Sequence, residues 1–321
     1  MKRTGALIEK EFRYSAHNYK SIDVVIEKAR GCYMWDVEGK KYLDCLSAFS
    51  AVSMGHSHPR LVKAIKDQVD KLHLTSRAFH SSILGEYAEK ITTLFNYDKI
   101  LPMNTGVEAG ETAVKLCRKW AYEVKGVPEN QATVLFAEHN FWGRTLAATS
   151  SSSDPDCYTH FGPFTPGFEL IPYNDLPALE SKLKANPNIA GYMLEVIQGE
   201  AGVIVPYKGY IKGVRDLCTK YNVLMVADEV QTGLCRTGRW LACDHDNVRP
   251  DILVLGKALS GGMYPVSAVL CDNEIMLTIK PGQHGSTFGG NALACRVAME
   301  SLDIMADEKL RYTKEELQEF R

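Results

Sequence analysis

Between residues 99 and 271, short apolar runs alternate with stretches of helical spacing. KILPMN (99–104), ATVLFA (132–137), FELIPY (168–173), IAGYMLEV (189–196), NVLMVAD (222–228), DILVLG (251–256) and VSAVLC (266–271) read as strands. VEAGETAVKLCRKWAYEV (107–124) and YIKGVRDLCTKY (210–221) carry apolar residues at helical intervals. Upstream, HPRLVKAIKDQVDKLH (58–73) and SILGEYAEKITTLF (82–95) predict two more helices, the first with Pro59 near its start. CYMWDVEGKKYLDC (32–45) predicts a hairpin turning at Glu38-Gly39. Continuously apolar strands between helices are buried on both faces, so the expected class is α/β, with a mostly parallel sheet and helices on each side. TSSSSDPDCYTHFGPFTPG (149–167) is too long and polar for a core element, and long loops of this kind often carry function.

Composition narrows the class. The chain has 321 residues, 45% hydrophobic and 24% charged, with a formal net charge of −2. Such a balance does not favour nucleic acid or an anionic membrane surface as a partner. No apolar run approaches the roughly 20 residues of a membrane span. Nine cysteines, with no CxxC pair, sit mostly inside apolar segments and read as reduced thiols of an intracellular protein. MKRTGALIEKEF is too polar for a signal peptide and too short and acidic for a transit peptide. The expected compartment is the cytoplasm, with a processed mitochondrial matrix protein as the alternative.

The chemistry begins at VLGKALSGGMYP (254–265). Lysine is among the residues least often buried, yet Lys257 directly follows an apolar strand. Ligands bind at the carboxyl ends of parallel strands, and an amine desolvated there becomes a nucleophile suited to a Schiff base. A surface lysine at a strand–loop junction fits the same pattern. Asp228 ends another apolar strand in VLMVADEVQTG, where a carboxylate could keep a heteroaromatic nitrogen protonated or cap a helix. In PMNTGVEAGETAVKL, Thr105 and Gly106 lie between strand and helix, at a helix start that could cradle a phosphate or be plainly capped. HNFWGRT adds Phe141 and Trp142, fit for stacking on a ring or for core packing, and Arg144, whose planar fork suits a carboxylate. His56 and His58 have no cysteine or carboxylate cluster beside them, so no metal is expected. No GxGxxG follows an early strand, which argues against a Rossmann dehydrogenase.

Taken in order, LTSRAFH, LPMNTGVEAGETAVKL, FWGRT, GPFTPGFELIPYNDLPALE, IQGEAGV, ADEVQTG, RTGRW, RPDILVLGKALSGGMYPVSAVL and HGSTFGGN resemble the class-III, fold-type-I pyridoxal-phosphate aminotransferases, and within them the ornithine branch. The likeness runs from about residue 15 to residue 302. It implies an N-terminal segment with a hairpin (1–55), a cofactor-binding large domain (56–290), and a linker helix with the truncated start of a small domain (291–321). It implies Lys257 as the lysine that bonds the cofactor and later shuttles a proton, Asp228 on the ring nitrogen, Gln231 on the 3-oxygen and Phe141 stacked on the ring. Thr105, Gly106 and Val107 would hold the phosphate. Ser286 and Thr287 would reach the phosphate of a neighbouring subunit, which implies a homodimer or higher homo-oligomer. Tyr19 and Arg144 would hold the substrate's α-carboxylate and α-amino end, with Phe49, Trp142, Glu195 and Glu200 lining the same site. The implied reaction moves the δ-amino group of L-ornithine to 2-oxoglutarate, giving glutamate-5-semialdehyde and glutamate, a step between arginine or ornithine and proline.

The chain also departs from the family pattern. Relatives continue for about another domain beyond GGN, carrying an arginine that pairs with the glutamate at Glu200, so truncation implies an unpaired Glu200. Phe49 stands where ornithine-selective members have tyrosine. Ser53-Met54 replaces Asn-Gln, and Val196 replaces proline. These differences keep two alternatives in view: a related ω-aminotransferase acting on acetylornithine or 4-aminobutyrate, and a catalytically impaired form that only binds the cofactor.

Overall fold

The computed structural model describes residues 3–312. The charged, helix-prone stretch 313–321 lies outside them. The chain opens with a helix, Arg3–Tyr14, followed by a three-stranded antiparallel sheet of β1 (Ile26–Arg30), β2 (Tyr33–Asp36) and β3 (Lys41–Leu43). The hairpin expected at Glu38-Gly39 is the β2–β3 turn, closed by Asp36, whose carboxylate accepts from the Glu38 and Lys40 amides. The first helix and β1, which bury no residue fully, were among the elements not read from the sequence.

The main sheet has seven strands: β4 (Lys99–Met103), β5 (Thr133–Ala137), β6 (Phe168–Ile171), β7 (Ile189–Glu195), β8 (Leu224–Asp228), β9 (Ile252–Leu255) and β10 (Ser267–Cys271). Their order is β4-β10-β9-β8-β7-β5-β6. Each lies inside the run read from the sequence. Alternate residues face opposite sides, and both sides are covered. Leu135, Tyr192, Leu194, Met225, Leu253 and Leu270 join one core with the helices Leu84–Phe95, Tyr210–Lys220 and Ala292–Asp307. Val134, Phe136, Met193, Val226, Val254 and Val269 join the other beneath the helix Gly106–Trp120. This is why the strands read as unbroken apolar runs.

The sheet is mostly parallel, as expected, with one exception. β10 runs antiparallel to both β9 and β4. Only residues 256–266 connect β9 to β10, and a parallel return needs about a dozen residues or more, usually a helix. Two reversals leave β4 pointing the same way as β9. The carboxyl ends of β4, β5, β7, β8 and β9 therefore share one edge of the sheet.

Among the described residues no helix is long and apolar enough to cross a membrane. All nine cysteines are unpaired, six of them buried. The 149–167 stretch is largely irregular, with one turn of helix at Pro155–Tyr158.

Candidate active site

That shared edge carries the site. Glu195 and Asp228 are the last residues of β7 and β8 and sit opposite each other in the pairing register, so their side chains project on the same face. Asp228 pairs with Val254 on β9, and Lys257 follows two residues after that strand ends. Next along the edge, Gly106 starts the helix after β4. Gly106, Val107, Phe141, Trp142, Glu195, Glu200, Asp228, Gln231 and Lys257 line one cavity of about 230 Å³. Gly143, Val230 and Thr232 complete it. These three belong to the motifs FWGRT and ADEVQTG, so the signal was present in the sequence, but nothing in their chemistry singled them out.

Lys257 has φ +42°, a left-handed conformation that costs a residue with a Cβ on the order of 1–3 kcal/mol. The turn is fixed from below, where Leu259 N–H donates to the Gly256 carbonyl and the buried Ser301 hydroxyl donates to the Ala258 carbonyl. Gly256 has no room for a side chain without crowding Val230, whose Cγ1 would lie 3.2 Å from a Cβ. Burial lowers the Lys257 pKa, opposed by the charges of Asp228, Glu200 and Glu195. Asp228 is pushed up to about 7, first by burial and then by the Glu195 charge, although the Val230 amide donates to it at 3.0 Å. Burial likewise raises Glu195, whose two oxygens accept from the Phe141 and Gly199 amides at 2.9 and 3.0 Å.

The helix Gly106–Trp120 opens with a capping box. The Thr105 hydroxyl accepts from the Glu108 amide, and the Glu108 carboxylate accepts from the Thr105 amide at 2.7 Å. The Gly106 and Val107 amides are first-turn donors, which have no partner within a helix. Space beside them is kept by Gly143, where a Cβ would come within 2.2 Å of Val107 Cγ2.

Not every expected residue converges. Tyr19 and Phe49 are exposed and lie outside the cavity. Arg144 is also outside, with its guanidinium 5.4 Å from the Phe141 ring centroid and Nη1 donating to Cys157 Sγ at 3.0 Å. Thr105 is occupied by its cap. The Ser286 hydroxyl accepts from the Asn104 side-chain Nδ2 at 2.9 Å, and Thr287 is exposed; neither lines the cavity. Trp142 touches the cavity, yet its indole belongs to the core. It stacks on Phe136 at 5.6 Å and donates to the buried Ser151 hydroxyl at 2.8 Å. An indole so committed is a wall of the site and not a free substrate contact. Ser53 accepts from Arg236 at 2.8 Å, Met54 packs against the core, and Val196 is buried.

The profile of the family described as aminotransferase class-III matches residues 14–320. The chain belongs to the class-III aminotransferases. Rat mitochondrial ornithine aminotransferase is 65% identical over 304 residues, 95% of this chain and 69% of the rat protein. An ornithine aminotransferase structure from Toxoplasma gondii, with PLP at partial occupancy in its active site, superposes with a TM-score of 0.93 at 52% identity, over 95% of this chain and 72% of that one. An acetylornithine aminotransferase from Elizabethkingia anophelis gives a TM-score of 0.87 at 56% identity, over 96% of this chain and 74% of that one.

Class-III aminotransferases use pyridoxal phosphate, and this cavity fits it. A phosphate suits the first-turn amides, and an aromatic ring suits the face of Phe141. A protonated ring nitrogen suits the buried Asp228 carboxylate, and an aldehyde suits the half-buried Lys257 amine.

Proposed function

We propose that this chain transfers the δ-amino group of L-ornithine to 2-oxoglutarate, with pyridoxal phosphate as cofactor. The observation that carries the reading is the meeting of Lys257, Asp228, Gln231, Phe141 and the Gly106 helix start on one cavity, in a chain 65% identical to the rat ornithine enzyme.

Pyridoxal phosphate, when bound, supplies a protonated ring that withdraws electrons from the carbon bearing the reacting amine. The chain's residues then have distinct tasks. The Gly106 and Val107 amides would hold the phosphate, and Phe141 would stack on the ring. Asp228, once ionised, would hold a proton at the ring nitrogen. Lys257 Nζ, its pKa lowered by burial, would bond the cofactor and, when released, take or return a proton. Trp142, Val107 and Val230 give the cavity apolar lining. Arg144 and Tyr19, which lie outside the cavity in the single chain, would hold the α-carboxylate and α-amino end of the substrate as the family resemblance implies. Completion of the site is assigned to a second copy of the chain, whose Ser286 and Thr287 would reach the phosphate. Exposed Tyr19, Ile22, Phe79 and Phe288 support self-association. The mitochondrial rat relative supports a matrix location over the cytosolic expectation.

The second reading is an acetylornithine aminotransferase, favoured by the Elizabethkingia neighbour and by Phe49 in place of tyrosine. The test is the visible spectrum of the purified chain loaded with pyridoxal phosphate, challenged in turn with L-ornithine, N-acetylornithine and 4-aminobutyrate. Bleaching by ornithine at the lowest concentration is expected. Preference for acetylornithine selects the second reading, and a band indifferent to all three refutes both.

A further inference from the structure

We propose that Glu195 is a positioning residue that holds the two walls of the cofactor cavity together, and not a substrate contact. Both carboxylate oxygens are already committed. Oε1 accepts from the Phe141 amide at 2.9 Å, and Oε2 accepts from the Gly199 amide at 3.0 Å. Among the described residues neither amide has a backbone acceptor. The two bonds lead to two separate segments of the site. One fixes the loop after β5 that carries the Phe141 ring. The other fixes the turn after β7 that carries Glu200.

That second wall includes Gln231. A Cβ at position 199 would come within 1.9 Å of Gln231 Oε1, so the Gln231 side chain lies directly on the Gly199 backbone. Gln231 Nε2 also donates to Glu200 at 3.3 Å. Glu195 therefore reaches Gln231 through the peptide it holds. Its place at the end of β7, paired with Asp228, anchors both walls to the sheet. A buried carboxylate is costly unless its oxygens are paired. Here the partners are two loop amides that would otherwise be unpaired, so site assembly and Glu195 satisfaction depend on each other.

The proposal rests on the cavity being the cofactor site, and its test is chosen to fail separately from that reading. Residue-resolved amide hydrogen exchange is measured on the full ligand-free chain, wild type and Glu195→Gln. Cofactor affinity and ornithine kinetics are measured on the same preparations. Glutamine keeps one acceptor oxygen and turns a donor toward the other amide. At least one of the Phe141 and Gly199 amides should then exchange about tenfold faster or more, while β7 and β8 keep their protection. Affinity for pyridoxal phosphate should fall by a similar factor, with little change in KM for ornithine at saturating cofactor. Unchanged exchange at both amides overturns the proposal. So does intact cofactor affinity with an ornithine KM raised about tenfold, the mark of a substrate contact. If Glu195→Gln does not fold, the wild-type chain decides: rapid exchange at both amides overturns the brace, and protection at both supports it. A wild-type chain that binds no pyridoxal phosphate refutes the functional reading and leaves the exchange result standing.

Discussion

Replacing Asp228 with asparagine should stabilise the ligand-free chain and cripple the loaded one. Asp228 has its pKa raised from 3.8 to about 7, by burial first and by Glu195 second. At about 1.4 kcal/mol per tenfold change in proton affinity, that rise corresponds to roughly 4 kcal/mol. The sign follows from proton counting. Below about pH 4 the carboxyl is protonated in folded and unfolded chains alike, and there is no penalty. Between about pH 4 and 7 the unfolded chain loses this proton while the folded chain keeps it, so folding stability falls as pH rises. Above about pH 7 the penalty is complete. Asparagine is never ionised, and its side-chain oxygen can keep the Val230 amide bond. The stability difference between Asp228→Asn and wild type should therefore be near zero at pH 4 and grow to roughly 4 kcal/mol by pH 8. For a chain of this length that is about 6 °C in Tm. Urea or thermal unfolding of the ligand-free proteins across that pH range is the assay. Pyridoxal phosphate should reverse the order, because only the carboxylate can hold the protonated ring nitrogen. A difference that stays flat with pH would refute the claim that burial of this carboxylate strains the empty site.

Two further outcomes are expected. Gly143→Ala should cost about 3 kcal/mol and weaken cofactor binding, because φ is +149° and the new methyl would meet Val107 Cγ2 at 2.2 Å; melting curves and a cofactor titration check both effects. Glu229→Ala should lower the urea midpoint by roughly 3 kcal/mol of stability, since the buried carboxylate accepts from the Ala242 and Cys243 amides and the Thr232 hydroxyl; an unchanged midpoint would show that these donors find other partners.

Much of the site was legible because its chemistry is local. Lys257 and Asp228 stand out as polar residues at the ends of apolar strands, and Gly106 stands out at a strand-to-helix junction with a capping pattern. Trp142 was harder. An aromatic next to Phe141 reads the same whether it faces a ligand or Phe136, and only packing separates the two. Glu195 was named from resemblance as a substrate-side group. Its hydrogen bonds to Phe141 and Gly199 join residues 54 apart and four apart, a pattern that spacing does not reveal.

Side-chain periodicity and strand-end chemistry belong to neighbouring residues, so the sequence by itself determined the strands of the main sheet, the two long helices Gly106–Trp120 and Tyr210–Lys220 between them and the polar residues at their ends. Even the reversal of β10 was within reach, since its 256–266 connection is too short for a parallel crossover. Strand order and edge alignment are set by contacts between residues far apart in the chain. Only the tertiary structure placed β7, β8 and β9 side by side. That placement put Glu195, Asp228 and Lys257 at one edge, raised two acids and depressed one amine through burial they share, and left Tyr19, Phe49 and Arg144 outside the cavity they were expected to line.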